Sequence, residues 1–560
     1  MSIKSSYLAL VLSLCLGLGF IVVNAKLAQS DSVTTDEIAH LSASLSYVQK
    51  QDNRLNPEHP PLLKIMAGLA GQPLQPRVDY QSAAWTELVN GQWDLGGDIL
   101  FANGNDAQRL LTAMRWPTII LGFALACLGF IYFWKRKQPW AAALFTLLTL
   151  ASPSIIAHSH LITFDIGAAF WLLATLFSLD LLGQQGESSR SRIWWLSLAG
   201  VTLGLALTSK FSLVYLLPIT LVVWLWQWRR TLSWRWMLGY YLLAFITIMI
   251  IYSYVTWNYP FDRFQSDWQS ITGGFYSPDA TQQGLIQWIQ GFDRSTIFNS
   301  TTKPFFAYVL GLAMTLTRIA GGHTGYFLGN LNHSGSALYF PILLITKESL
   351  STLALIAIGS ILTLKQWQKL SKLTQSVSLT IAAYWLLALV SPLNIGYRHI
   401  LPTLPLIYLV ITESLCLWQA HGLVRLRPLK LTLIIALAVT TLGVAVASYP
   451  FYLPFYNSLV GGREQGYKVA SDSNYDWGQD IARLGHYLKE QNIEQLTWIN
   501  YRQREARYYI GPFVEAYIPG QKLSGYFAIS GGELIASGYP LPDNKELVTQ
   551  IGSIFLFYAP

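Results

Sequence analysis

Charge is scarce in this 560-residue chain, where Asp, Glu, Lys and Arg together make up only 12% of the residues. Cysteine is scarcer. Cys15, Cys127 and Cys416 all lie inside apolar segments, which excludes a disulfide framework and a cysteine-based metal site. Neither an internal repeat nor a low-complexity tract is evident. What the chain has in excess is apolar and aromatic residues: 52% hydrophobic, with 21 Trp and 30 Tyr, a composition outside the soluble globular range. Runs near ~20 apolar residues recur, each long enough to cross a ~30 Å hydrocarbon core as a helix. The net charge of +8 comes from Lys and Arg in short loops between those runs. That pattern sets membrane orientation, so no nucleic-acid partner is expected.

The basic clusters give one self-consistent topology. Lys135 to Lys137, Arg190 with Arg192, Arg229, Arg230 and Arg235, Lys365, Lys369 and Lys372, and Arg425, Arg427 and Lys430 all fall on the inner side. The expected fold is a polytopic α-helical membrane protein with about eleven transmembrane helices, its N-terminus cytoplasmic and a small extracytoplasmic α/β domain at its C-terminus. The first segment, about Tyr7 to Val23, precedes Val23-Asn24-Ala25, which resembles a cleavage site; its length favours a retained anchor. Residues 1–449 form the membrane part and residues 450–560 the outer domain. Within the former lie a first outer loop, about 26–106, with two amphipathic helices expected on the membrane surface, and a second long outer segment, about 258–340. The latter has an apolar run expected to re-enter or lie along the membrane. Past Pro450 the apolar runs shorten, and a helix over about Gly478 to Gln491 and strand-like TWINY, GYFAIS and SIFLFY are expected.

Scarce charge makes its placement informative. Thr34 to Leu63, reading TTDEIAHLSASLSYVQKQDNRLNPEHPPLL, crowds Asp36, Glu37, His40, Asp52, Arg54, Glu58 and His59 into one stretch. Thr34 and Glu37 make a T-x-x-E capping box, and Ile38, Leu41, Leu45 and Val48 give the helix an apolar face, so an ordinary helix start explains part of it. Glu58 and His59, however, precede Pro60-Pro61, a rigid turn able to hold a carboxylate and an imidazole. The expected topology also brings Asp165, Lys210, His323, Lys347, Arg398 and His399 to the same outer side. An ionised Asp at the bilayer centre costs about 2.5–3.5 kcal/mol, so Asp165 between Phe164 and Ile166 needs a reason, which capping of its helix partly supplies. Taken singly, Lys210 and Lys347 read as interface anchors.

Carboxylates and cations gathered at a membrane face suit transfer of a group off a lipid phosphate. A carboxylate takes the proton of the attacking hydroxyl, cations stabilise the departing phosphate, and a carboxylate near the sugar ring stabilises its developing positive charge. DEIAH after the first span, PEHPPL in the same loop, TFD before the fourth span and an outer tail together resemble the lipid-carrier-dependent glycosyltransferases of the GT-C superfamily. The resemblance is to the family holding protein O-mannosyltransferases and lipid A aminoarabinose transferases. YFPILLITKES, NIGYRHILPTLP and SDSNYDWGQD resemble a bacterial branch of it, which implies the bacterial inner membrane. The resemblance implies Asp36 as base or acceptor-orienting group with Glu37 beside it, and Asp165 as the second-loop aspartate. It also implies substrate binding by Glu58 and His59, the latter standing where relatives carry lysine. Lys210 and Arg398 are candidates for the carrier phosphate, with His399 and Lys347 further substrate-binding candidates.

No cofactor is required. A divalent ion held by Asp36, Glu58, His59 and Asp165 is chemically compatible with those ligands, though no spacing demands it. Asp472, Asn474 and Asp476 have EF-hand spacing, but Trp477 and Arg483 occupy the places of the required Gly and Glu, so capping or docking is expected there. The expected function is an inverting glycosyltransferase using a polyprenyl-phosphate sugar, with a lipid, glycan or protein hydroxyl as acceptor and membrane lipids around it. The alternatives are a transporter or flippase of a lipid-linked sugar, because intramembrane charges also line transport paths, and a receptor or scaffold using the tail.

Overall fold

The computed structural model describes residues 3–185, 191–276, 280–420, 424–500, 502–536 and 538–560. Arg190 and Tyr501, which belong to an expected inner loop and an expected strand, lie outside these residues. Among the described residues nine helices are long and apolar enough to cross a membrane, and eleven if two bent pairs each count as one span. The pairs are Pro139–Leu150 with Pro153–Ser159, bent by 63°, and Tyr339–Lys347 with Leu350–Lys365, bent by 120°. The chain is therefore a polytopic helical membrane protein with a small C-terminal sheet region, as its composition indicates.

The basic loops gather at one end of the bundle. Gln227 donates to the Lys372 carbonyl at 3.1 Å, Lys372 lies over the Trp228 ring and Arg136 approaches Glu413 to 3.5 Å. The helix Trp234–Val255, about 33 Å long at 1.5 Å per residue, runs from that end to the other. There Asn258 donates to the Gln51 carbonyl of the first loop at 3.1 Å.

The first loop is in part buried. Its helix Thr35–Gln49 is buried continuously from Glu37 to Tyr47, polar face included, because helices Leu62–Gly71 and Gln92–Phe101 cover the sides the sequence leaves polar. Ser42, Ser44 and Ser46 tolerate this by bonding carbonyls three or four residues back, so no hydroxyl is stranded. Two glycines allow the close approach. A Cβ at Gly68 would meet the Ser44 carbonyl at 2.2 Å, and one at Gly96 the Ile38 carbonyl at 2.2 Å. In the second long segment the central apolar run is the helix Lys303–Gly321, followed by an antiparallel hairpin, Gly325–Phe327 with Asn330–Asn332.

The tail forms a five-stranded mixed sheet in the order Val514–Ala516, Leu496–Ile499, Gly525–Ser530, Ile554–Ala559, Glu546–Ile551. The first three strands are parallel and the last two join antiparallel. Alternation splits its faces: Trp498, Ala528 and Leu556 pack with Ile481, Leu484 and Leu488 of the helix Ile481–Glu490. Ile499, Phe527, Phe555 and Phe557 turn the other way and join the core that continues into the bundle.

Candidate active site

Residues 31–37 carry two adjacent acids into different surroundings. Glu37 caps its own helix, accepting from the Thr34 N–H at 2.9 Å, and accepts from the Ile162 N–H at 2.9 Å. Arg115, from the middle of the span Ala107–Lys135, pairs with it two-pronged at 2.8 and 2.7 Å and spends its remaining donors on the carbonyls of Ala28, Asp31 and Ser32. Both side chains are 0% exposed. Burial by itself would raise the Glu37 carboxyl, and Arg115 more than reverses that, so it is held ionised below its usual range. Both carboxylate oxygens accept hydrogen bonds, so Glu37, expected beside Asp36 as a catalytic group, ties the loop to the span Ala107–Lys135.

Asp36, one position earlier, is partly exposed. Arg398, from the short helix Tyr397–His399, donates from Nη1 to its Oδ2 at 2.7 Å, and the two side chains are 22% and 14% exposed. The other carboxylate oxygen of Asp36 has no hydrogen-bond partner among the described residues. Burial would raise this carboxyl, but Arg398 first, with Arg318 adding to it, holds it below the usual range, so it is a carboxylate at neutral pH. Asp165 opens the helix Asp165–Gly183, and Lys210 donates to it from Nζ at 2.6 Å. The two pairs share one electrostatic neighbourhood, because Arg398 is within reach of Asp36, Asp165 and Asp472 together. The His399 ring belongs to it too, facing Lys210, Arg398, Asp165 and Arg318. His323 lies half-buried beside Asp472.

The PEHPP turn is fixed from below by Lys64. Its Nζ donates to Tyr47 Oη, the Asn56 carbonyl and side chain, and the His59 carbonyl, at 2.6 to 2.9 Å. Glu58 turns toward amides, accepting from Gln92 at 2.7 Å and from Asn56 and Asn90 at 3.2 Å. The centroid of the His59 ring lies 5.5 Å from that of His40 and 4.9 Å from that of Phe164. Burial, with His40 and Lys64 adding to it, pushes His59 well below its ordinary range, so it is neutral and does not supply the charge a lysine would. His40 is held neutral by burial as well; Nδ1–H donates to the Ile162 carbonyl at 2.6 Å, which leaves Nε2 as an acceptor.

Lys347 sits at the 120° bend and donates to the carbonyls of Leu453 at 2.7 Å and Asn474 at 2.6 Å, while Glu348 accepts from Tyr397 and Tyr408. At 4% exposure, with two of its three donors used this way, it fastens the tail to the bundle. Among the described residues no three His, Cys, Asp or Glu side chains come together as ligands, since Asp36 and Asp165 face cations and Glu58 faces amides. SDSNYDWGQD docks, as expected: Asn474 accepts from the Tyr397 N–H at 2.7 Å and the Trp477 carbonyl from the Thr35 N–H at 2.9 Å.

Sequence reasoning missed Arg115, Lys64, Arg318 and Trp477. Arg115 and Lys64 each carried a signal, a basic residue inside an apolar helix. Arg318, exposed in the last turn of Lys303–Gly321, makes no ion pair among the described residues yet lies near Asp36, His59 and His399. Two further nitrogens of this group, Arg398 Nε and His399 Nε2, are buried without a hydrogen-bond partner among the described residues.

Residues 13–262 match the family model for dolichyl-phosphate-mannose-protein mannosyltransferase. The match spans Asp36, the PEHPP turn, TFD and Lys210, so the resemblance to lipid-carrier-dependent glycosyltransferases is found again by a comparison of the whole segment; Lys347, Arg398 and His399 lie beyond it. No curated protein matches the chain. Among solved structures it is similar to ArnT from Cupriavidus metallidurans in the apo state, at 12% identity and TM-score 0.49, covering 99% of this chain and 98% of that one. The same enzyme bound to undecaprenyl phosphate gives 13% and 0.44, covering 98% and 97%. The oligosaccharyltransferase AglB from Archaeoglobus fulgidus gives 12% and 0.45, covering 91% and 65%.

Proposed function

We propose that this chain is an inverting glycosyltransferase that moves a sugar from a polyprenyl-phosphate carrier to an acceptor hydroxyl at the extracytoplasmic membrane face. The observation that carries the reading is the half-open Asp36–Arg398 pair: an ionised carboxylate with one oxygen engaged and one free, in the electrostatic neighbourhood of Asp165–Lys210, which we read as one substrate chamber. The free oxygen of Asp36 takes the proton as the acceptor oxygen bonds to the sugar's anomeric carbon. The bond from that carbon to the carrier phosphate breaks, and the electron pair leaves with the phosphate. Arg318, which makes no ion pair among the described residues, and the unpaired Nε–H of Arg398 stabilise that phosphate, with Lys210 behind them. Asp165 faces the sugar side of the chamber, and Glu58 holds the rim through its amides. The resemblance of residues 13–262 and the printed ligand of the ArnT structure, undecaprenyl phosphate, support a carrier of this class.

Topology follows the basic loops: the chamber is outside, the N-terminus inside, and residues 450–560 are an outer domain over membrane residues 1–449. Reconstituted protein supplied with polyprenyl-phosphate sugars tests the reading. Sugar appearing on an acceptor is expected; sugar-lipid crossing the bilayer intact makes the protein a flippase.

A further inference from the structure

Trp477 belongs to the tail, 79 positions after Arg398, yet its ring lies against the Arg398 guanidinium, whose central carbon is 4.4 Å from the ring centroid. The ring is 4% exposed and is fixed from behind by backbone contacts on both sides of the ion pair. On the aspartate side, the Trp477 carbonyl accepts from the Thr35 N–H, the residue before Asp36. The Gln479 carbonyl accepts from the Ser32 N–H at 3.0 Å, and the Gly478 carbonyl from Ser32 Oγ at 2.8 Å. On the arginine side, Asn474 accepts from Tyr397, the residue before Arg398, and Ser473 Oγ donates to the Ile395 carbonyl at 2.8 Å. Arg502 clamps the same strip, donating to the carbonyls of Val33 and Trp477. Gly478 leaves room for it, at φ +96 and with a Cβ that would fall 1.0 Å from the Arg502 Nη1.

We infer that Trp477 is a positioning residue for Arg398, and that its ring sets the plane of the guanidinium so that only Nη1 meets Asp36 while the buried Nε–H is left unpaired for the carrier phosphate. The inference rests on the proposed transferase reading. A guanidinium free to turn would pair with a carboxylate through two parallel hydrogen bonds, as Arg115 does with Glu37. Such pairing would consume both the donor edge meant for phosphate and the carboxylate oxygen meant for the acceptor proton. Stacking on an indole face holds the plane, because a planar delocalised cation is attracted to the ring's electron-rich face. Trp477 thus makes the tail part of the site.

The test is a double-mutant cycle on the full-length protein, read by native mass spectrometry during titration with undecaprenyl phosphate. Trp477→Leu, which keeps bulk but has no aromatic face, should weaken binding about tenfold. Trp477→Phe should stay within about threefold of wild type. In an Arg398→Lys background, where no planar cation remains, Trp477→Leu should have no further effect. Equal binding by wild type and Trp477→Leu, or the same loss in both backgrounds, overturns the inference while the transferase reading stands. Should Trp477→Leu not fold, the cycle with Trp477→Phe decides on the same criterion, a loss confined to the Arg398 background. A wild-type protein that binds no undecaprenyl phosphate overturns both.

Discussion

Asp36 and Glu37 are neighbours in sequence, both ionised and both paired with arginine, yet one pair is sealed and the other open. Glu37–Arg115 has every polar atom satisfied and no solvent exposure, the condition under which an ion pair is structural and breaking it leaves an uncompensated buried charge. Asp36–Arg398 leaves donors and an acceptor unused, the condition under which charge can act on something that arrives. An acid's role at this site is set by what its partner leaves unsatisfied.

Asp36→Asn tests the comparison with the largest effect. Transfer should fall by about 10²–10⁴-fold while the melting temperature in detergent stays within a few degrees of wild type. Residual turnover at wild-type rate would break the assignment. Glu37→Ala should do the converse, costing roughly 3–5 kcal/mol of stability because Arg115 is left buried and unpaired. The double replacement Glu37→Met with Arg115→Met should recover much of that loss, read by thermal melting. A smaller effect is expected at Lys347→Met, which strands two carbonyls at about 1–3 kcal/mol each and should expose the tail to protease without changing donor affinity in the surviving folded fraction. Arg318→Gln should raise the donor KM about tenfold and leave folding unchanged.

The last prediction concerns pH. His59 and His399 are pushed well below the usual histidine range by burial, so neither should add a limb to the kcat profile between pH 6 and 8. Acid loss comes lower. Asp31, which burial alone would raise, is drawn down from 3.8 to about 2 by Arg483, then His160 and Arg115. A depressed carboxyl contributes stability that is present above its unfolded value and lost as pH falls through the folded one. On the order of 2 kcal/mol should therefore disappear between about pH 4 and pH 2, read by acid melting curves.

The membrane class and the helical tail-end pattern were legible because apolar runs and alternating strands are local signals. TWINY, GYFAIS and SIFLFY gave three of the strands, apart from Tyr501. Val514–Ala516 is only three residues long, and Glu546–Ile551 is an edge strand whose exposed residues break the alternation, so both escaped notice. Asp36, Asp165, Lys210 and Arg398 were legible as scarce charges expected on one side. What the sequence could not separate was Asp36 from Glu37, because a shift of one helical position turns a side chain by about 100° and only the packing of Arg115 shows which way is inward. The burial of the first loop was hidden for a similar reason: serines that look solvent-facing satisfy themselves on their own backbone.

The two-faced sheet of the tail has a practical outcome. Severed near Pro450 and expressed by itself, that fragment would bare Phe527, Phe555 and Phe557 on the side that normally continues into the bundle core. Such a greasy surface invites clumping rather than a well-behaved soluble piece. Antibodies, crystallisation partners or inhibitors sought against the tail are therefore best raised on the intact chain, where that side is already covered.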